Sequence, residues 1–264
     1  MCCKGERSLI HPTAIIDPKA ELAPNVKVGA YSIIEADVSI GAATEIGPHV
    51  VIRSGTRIGV ENHIFQFCSI GEIPQDKKYR GEDTRLEIGD RNTIREFCSF
   101  NKGTVQGGGI TKIGSDNWIM AYCHIAHDCL VGNQIVFANN ASLAGHVEIH
   151  DKAILGGFTI VHQFCRIGTL SLLAMGAGIN HDVPPFVIVS GHLAEPRSIN
   201  AEGLRRANFS KEAIEAVWKA YKILYRRNLR IEDAKVELEK LAKLHSEVQP
   251  MVDFLAKSDR GIAR

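Results

Sequence analysis

A period of six residues constrains this chain more than anything else in it. From Ile113 to Ile179 the sequence divides into twelve successive hexads, and an apolar residue opens every one. The same register starts at Ile10 and runs to Ile70, lapses, and returns at Ile88, Ile94 and Phe100. Eleven, three and twelve hexads make 26, all with an apolar first residue. The fifth place takes small or medium side chains, among them Cys123, Cys129, Ala141, Thr159 and Ser171. An amphipathic helix needs apolar residues three to four apart, so a period of six excludes it. A strand alternates its faces every two residues, which lets the first and fifth places point the same way. A fixed short period means stacked repeats, each burying its apolar face only against its neighbours. Three hexads then close one triangular coil of eighteen residues, and successive coils pair as parallel strands. Handedness does not follow from the period.

Two stretches leave the pattern. Residues 75–87 are polar and charged, and residues 103–112 contain Gly107-Gly108-Gly109. Loops that interrupt a regular solenoid are where function tends to sit. After Pro184-Pro185 the period fades. Ser210 is a good N-cap with Glu212 in the first turn. Ile214, Val217, Trp218, Tyr221 and Leu224 then follow helical spacing. A second helix is predicted from Ile231 to about Leu244 and a third over Met251 to Ala256. The division expected is a β-helical domain over 1–190, with loops at 75–87 and 103–112, and a C-terminal α-helical domain over 191–264.

Composition narrows the function classes. Thirty-one Lys and Arg against thirty Asp and Glu give no support for nucleic-acid binding through net charge. No apolar run is long enough for stable membrane insertion, and no signal-like run follows the Met1-Cys2-Cys3 start, so a cytoplasmic protein is expected. Five of the seven cysteines (Cys68, Cys98, Cys123, Cys129, Cys165) occupy the inward fifth place, which predicts buried reduced thiols.

Eighteen residues per coil also says what stacks on what. Gly145 follows His127 by eighteen residues, and Gln163 follows Gly145 by eighteen. His146 and His162 flank that column, and His124 lies near the preceding corner. If Asp128 reaches one nitrogen of His127, it fixes the tautomer and raises basicity at the other. A histidine so held can take a proton from a hydroxyl near neutral pH. Gly145 has no side chain to keep a substrate from its N–H, which could stabilise an acyl-transfer oxyanion. No Ser or Cys nucleophile is required if the acceptor attacks directly. A metal site is the alternative, because three neutral imidazoles and a water suit zinc.

Several motifs are more specific. Ile125-Ala-His127-Asp-Cys, Leu143-Ala-Gly145-His, Val161-His-Gln163-Phe-Cys, Gly103-Thr-Val-Gln-Gly-Gly-Gly, Gly71-Glu-Ile-Pro-Gln-Asp76-Lys-Lys78-Tyr and Asn200-Ala-Glu202-Gly-Leu-Arg-Arg206 resemble the bacterial UDP-N-acetylglucosamine acyltransferases that begin lipid A synthesis. The likeness runs from about Ile10 to Arg264. It implies an all-β left-handed parallel β-helix with a C-terminal α-helical domain, and a homotrimer with sites between adjacent β-helices. The implied reaction moves a 3-hydroxyacyl group from acyl carrier protein to the 3-hydroxyl of a UDP-sugar. No cofactor or metal is implied, because the donor rides on the carrier's phosphopantetheine. His127 is then the general base, Asp128 its orienting partner and Gly145 the oxyanion donor. Asp76, Lys78, His124, His146, His162 and Gln163 surround the sugar and acyl chain, while Asn200, Glu202 and Arg206 hold the nucleotide end. Met175 takes the place of the family's acyl-chain ruler and implies a donor nearer ten carbons than fourteen. The sequence departs from the family at Phe100-Asn101-Lys102, His192-Leu193 and Ala207, which leaves a 3-amino sugar as an alternative acceptor. A hexapeptide N-acyltransferase and a lyase of gamma carbonic anhydrase type are the other readings.

Overall fold

The computed structural model describes residues 9–264, so Cys2 and Cys3 lie outside the described residues. The chain divides into two compact units, Met1–Gln134 and Ile135–Arg264.

In the first unit, short strands build three parallel sheets, and each strand pairs with the strand three places later in the chain. One sheet carries Ile15–Ile16, Ile33–Ile34, Val51–Ile52, Ser69–Glu72, Ser99–Asn101 and His124–Ile125 in that order. The register is eighteen residues per coil, as in Ile15 against Ile33 and Ile34 against Ile52. It widens to thirty where Ser69 meets Ser99 and to twenty-five where Ser99 meets His124. Subtracting one coil of eighteen leaves insertions of twelve and seven residues, the two loops. Strands Arg85–Ile88 and Ile110–Ile113 begin inside the stretches that the hexad count leaves as loops. Leu86 and Thr111 already face inward there and are fully buried.

First-place residues from Val28 to Phe100 fill the interior, and so do the fifth places. Corners are turned by a residue in the left-handed region once per hexad, for example Tyr31, Asp37, Ala43 and His49 at φ of 59°, 55°, 58° and 56°. Each such corner costs about 1–2 kcal/mol for a side-chain-bearing residue. Burying the isoleucine of the same hexad contributes about 1.5–3 kcal/mol, so burial wins coil by coil. The buried asparagines among the polar fifth places are bonded along the stack, whereas the Thr56 and Ser171 hydroxyls have no hydrogen-bond partner among the described residues. Asn92 Nδ2 donates to Asn62 Oδ1 at 2.9 Å, and Asn117 N donates to Asn92 Oδ1 at 3.0 Å. Such a buried amide ladder fixes which coil lies on which, because a slip would leave unpaired amides inside. Cys68, Cys98, Cys123, Cys129 and Cys165 are buried and reduced, as their inward place predicts.

The second unit continues the same strand period through Gly178–Ile179. It then departs from the hexad reading. Val187–Ser190 joins the sheet beside Leu172–Leu173 in parallel, and Glu195–Ile199 folds back on it antiparallel. A short helix, α1 (Ala201–Arg206), follows that was not anticipated, and then α2 (Lys211–Tyr225), α3 (Ile231–Leu244) and α4 (Gln249–Ala256). Ser210 caps α2 by accepting Ala213 N at 3.1 Å, and Ala213, Ala216, Val217, Ala220, Tyr221 and Leu224 form its buried stripe. The helical region is tied to strand residues of its own unit. Arg166 bonds Glu148 at 2.8 Å, donates to Lys257 O at 3.1 Å and lies 4.9 Å from the Phe254 ring centre. Buried Asp182 accepts from Ser258 Oγ at 2.7 Å and exchanges backbone bonds with Gly261 and Ala263.

Candidate active site

His124–Ile125 is a strand of the first unit, and the corner after it presents His127 and Asp128. Asp128 sits in the left-handed region at φ 61°, where a short polar side chain is tolerated. Its backbone N–H donates to Thr111 Oγ1 at 2.8 Å, which pins the corner to the strand that ends the glycine-rich loop. His127 Nδ1 lies 2.7 Å from Asp128 Oδ2. An ionised carboxylate can only accept, so Nδ1 carries the proton and the basic lone pair is on Nε2. The two side chains are 14% and 1% exposed, a histidine at the surface backed by a buried carboxylate.

The glycine-rich loop supplies what keeps that carboxylate satisfied. Thr104 N donates to Asp128 Oδ1 at 2.7 Å, and Thr104 Oγ1 donates to Oδ2 at 2.6 Å. Thr104 also caps the single turn Val105–Gly107, accepting Gly107 N at 3.3 Å. A Cβ on Gly107 would fall 2.0 Å from Asp128 Cγ, so only glycine lets the loop close over the acid. His124 Nδ1 lies 2.8 Å from Ser99 Oγ. Burial holds the His124 imidazole below its ordinary titration range; hydrogen bonding to the Ser99 backbone opposes this, and nearby His127 adds to it. His124 is therefore a neutral hydrogen-bonding group at pH 7.

The other residues expected around the acceptor divide between the units. In the first, Asp76 turns back on its own loop and accepts Lys78 N at 2.9 Å, while Lys78 is exposed. Asn101, one of the departures noted above, is buried and donates to Ile73 O at 3.0 Å, so it anchors that loop's base. In the second unit, Gly145 is buried and its carbonyl accepts Phe164 N at 3.1 Å. His146 stacks on Phe164 with ring centres 4.4 Å apart. His162 and Gln163 are exposed, and His162 Nδ1 donates to the Gln163 carbonyl at 3.1 Å. Met175 is 81% exposed, so it does not pack in the core of this chain. Asn200 is buried and spends its amide on structure, accepting Gly203 N at 3.0 Å and donating to Leu170 O at 2.9 Å. Glu202 pairs with Arg205 and Arg206 at 2.7 and 3.1 Å.

The family model described as UDP N-acetylglucosamine O-acyltransferase, domain 2, matches residues 182–263, and the bacterial transferase hexapeptide model matches 110–145. The acyl-[acyl-carrier-protein]–UDP-N-acetylglucosamine O-acyltransferase of Neisseria gonorrhoeae is 59% identical over 97% of this chain and 100% of its own length. That of Thiobacillus denitrificans is 56% identical over 97% of this chain and 99% of its own. The solved structure of LpxA from Acinetobacter baumannii superposes with a TM-score of 0.96 at 47% identity, covering 97% of this chain and 100% of that one. This chain belongs to the UDP-N-acetylglucosamine O-acyltransferase family.

Family membership settles the handedness that the period left open: the fold is a left-handed parallel β-helix with a C-terminal helical region. It also directs attention to residues of this acyltransferase that sequence reasoning missed. Thr104, Gly107 and Thr111 all serve Asp128; the first two stand in the glycine-rich motif quoted above, where they carry no assigned role, and Thr111 carries none either. A signal existed for one of them. Thr104 is the fifth residue of the hexad opened by Phe100, so its hydroxyl had to face inward toward a neighbouring coil. Among the described residues, no helix is long and apolar enough to cross a membrane.

Proposed function

We propose that this protein transfers a 3-hydroxyacyl group from acyl carrier protein to the 3-hydroxyl of UDP-N-acetylglucosamine, with His127 as general base. The observation that carries the mechanism is the 2.7 Å bond from His127 Nδ1 to a buried carboxylate. His127 Nε2 removes the proton of the acceptor hydroxyl as its oxygen attacks the thioester carbonyl. The carbonyl oxygen becomes an oxyanion, to which the Gly145 N–H donates. Collapse of the tetrahedral species breaks the C–S bond. The phosphopantetheine thiolate leaves and recovers its proton from the His127 imidazolium. No covalent enzyme intermediate enters. Cys129, beside Asp128, is fully buried and out of a substrate's reach, and burial pushes the Cys165 thiol up to about 11, so Cys165 is not a thiolate near pH 7.

Around this centre, Asp76, Lys78, His124, His146, His162 and Gln163 line the path of sugar and acyl chain. Glu202 and Arg206 hold the nucleotide end. Asn200 contributes by fixing the first turn of the helix that carries them. The exposed thioether of Met175 closes the far end of the acyl groove and favours a donor of about ten carbons. The working species is a cytoplasmic homotrimer that needs no cofactor of its own and receives its acyl group on the phosphopantetheine of acyl carrier protein. Incubation of purified protein with hydroxyacyl carrier thioesters and UDP-N-acetylglucosamine, followed by mass analysis, tests the reading. A nucleotide sugar heavier by one hydroxyacyl group supports it. An unchanged sugar, or product only from a 3-amino sugar, overturns it. Stoichiometric zinc in the same preparation would favour the lyase reading instead.

A further inference from the structure

We propose that Thr104 is a positioning residue for catalysis: its hydroxyl and its backbone N–H together lock the Asp128 carboxylate in the one rotamer that serves His127. The inference rests on His127 being the general base. Asp128 is buried, and an ionised carboxylate there needs donors on both oxygens. Thr104 reaches both, Oδ1 through its N–H at 2.7 Å and Oδ2 through its hydroxyl at 2.6 Å. The hydroxyl proton is committed to Oδ2, because Gly107 N already donates to the same oxygen atom of Thr104. Oδ2 is also the atom that accepts His127 Nδ1–H. A rotation of the carboxylate would therefore break the bond to the imidazole and both bonds to Thr104 together. The glycine-rich loop is thus a clamp on the acid rather than a tolerated insertion. Its geometry is set locally, since Gly109 N donates to Thr104 O at 2.8 Å and Gly103 N to Arg85 O at 3.1 Å.

Two substitutions separate hydrogen bonding from packing. Thr104→Val keeps the shape and loses the hydroxyl, while Thr104→Ser keeps the hydroxyl and loses a methyl group. The position is buried, so a role in packing alone would make the serine variant the worse of the two. The clamp predicts the reverse. For Thr104→Val, kcat falls about ten- to a hundredfold with KM within about twofold, and Thr104→Ser stays within about threefold of wild type. His127→Ala is measured beside them. If the valine variant turns over at the wild-type rate while His127→Ala is inactive, the clamp is refuted and the base assignment stands. If the serine variant is as slow as the valine variant, the hydroxyl is not the cause and the clamp is likewise refuted. If His127→Ala is itself active, the base assignment fails first.

Discussion

Asp128→Asn is the sharpest test of how this site holds its proton. Asparagine has the shape of aspartate but offers one oxygen and one NH2. The Thr104 N–H points at the Oδ1 position from 2.7 Å, so that atom must remain an oxygen. The NH2 is then forced into the Oδ2 position, 2.7 Å from His127 Nδ1. A donor there can bond the imidazole only if Nδ1 is the unprotonated nitrogen, which moves the proton to Nε2. The ring survives in place with the wrong tautomer, and the lone pair that should meet the acceptor hydroxyl is gone. In a serine-protease triad the same change costs about 10⁴ in kcat. Here the base must only deprotonate an alcohol, and a loss of about 10²–10⁴ is expected, or about 2.7–5.4 kcal/mol of barrier at 1.36 kcal/mol per decade. Folding should suffer less. The Thr104 hydroxyl can turn to accept from the new NH2, but its own proton then loses the acceptor it had in a buried place, which costs about 1–3 kcal/mol. The assay is steady-state turnover with saturating thioester and nucleotide sugar, with the melting temperature as control. A kcat within about threefold of wild type would refute the tautomer argument, and so would a rise in KM with kcat unchanged.

His127→Ala should fold normally and lose at least ~10² in turnover, measured as initial rate against circular dichroism. Met175→Gly should shift donor preference toward longer chains in a competition between ten- and fourteen-carbon thioesters; a wild-type enzyme that already prefers fourteen carbons sinks the ruler. Hydrogen bonding from His150, reinforced by Arg166 and opposed by burial, holds the Glu148 carboxyl down at about 2. A depressed carboxylate stabilises the fold above its unfolded value of about 4.5 and loses that contribution as pH falls toward about 2. Because the side chain is 38% exposed, solvent screening limits the effect to about 1 kcal/mol. Melting temperature should therefore drop more steeply between pH 5 and about pH 2 in wild type than in Glu148→Gln, and parallel curves would show that the Arg166–Glu148–His150 group adds nothing.

The period of six, read residue by residue, already determined that Val28, Ile34, Ile94 and Ile125 lie inside and that Cys98 and Cys123 are buried thiols. It did so because the repeat is local: each hexad makes the same strand and the same corner, and stacking multiplies that choice. The helices Lys211–Tyr225 and Ile231–Leu244 were legible for the same reason, since a 3.6-residue stripe, and for the first of them a serine cap, is written in adjacent residues. His127 beside Asp128 was also legible, being neighbours in sequence. Tertiary structure alone decided that Thr104 clamps the acid from twenty-four residues away, because an inserted loop sets that register and no local rule predicts it. It also decided that Asn200 is a buried cap and that Met175 points outward. The turn of Glu195–Ile199 back on Val187–Ser190 depends on where the stacked coils stop, and a periodic sequence marks that end only by falling silent.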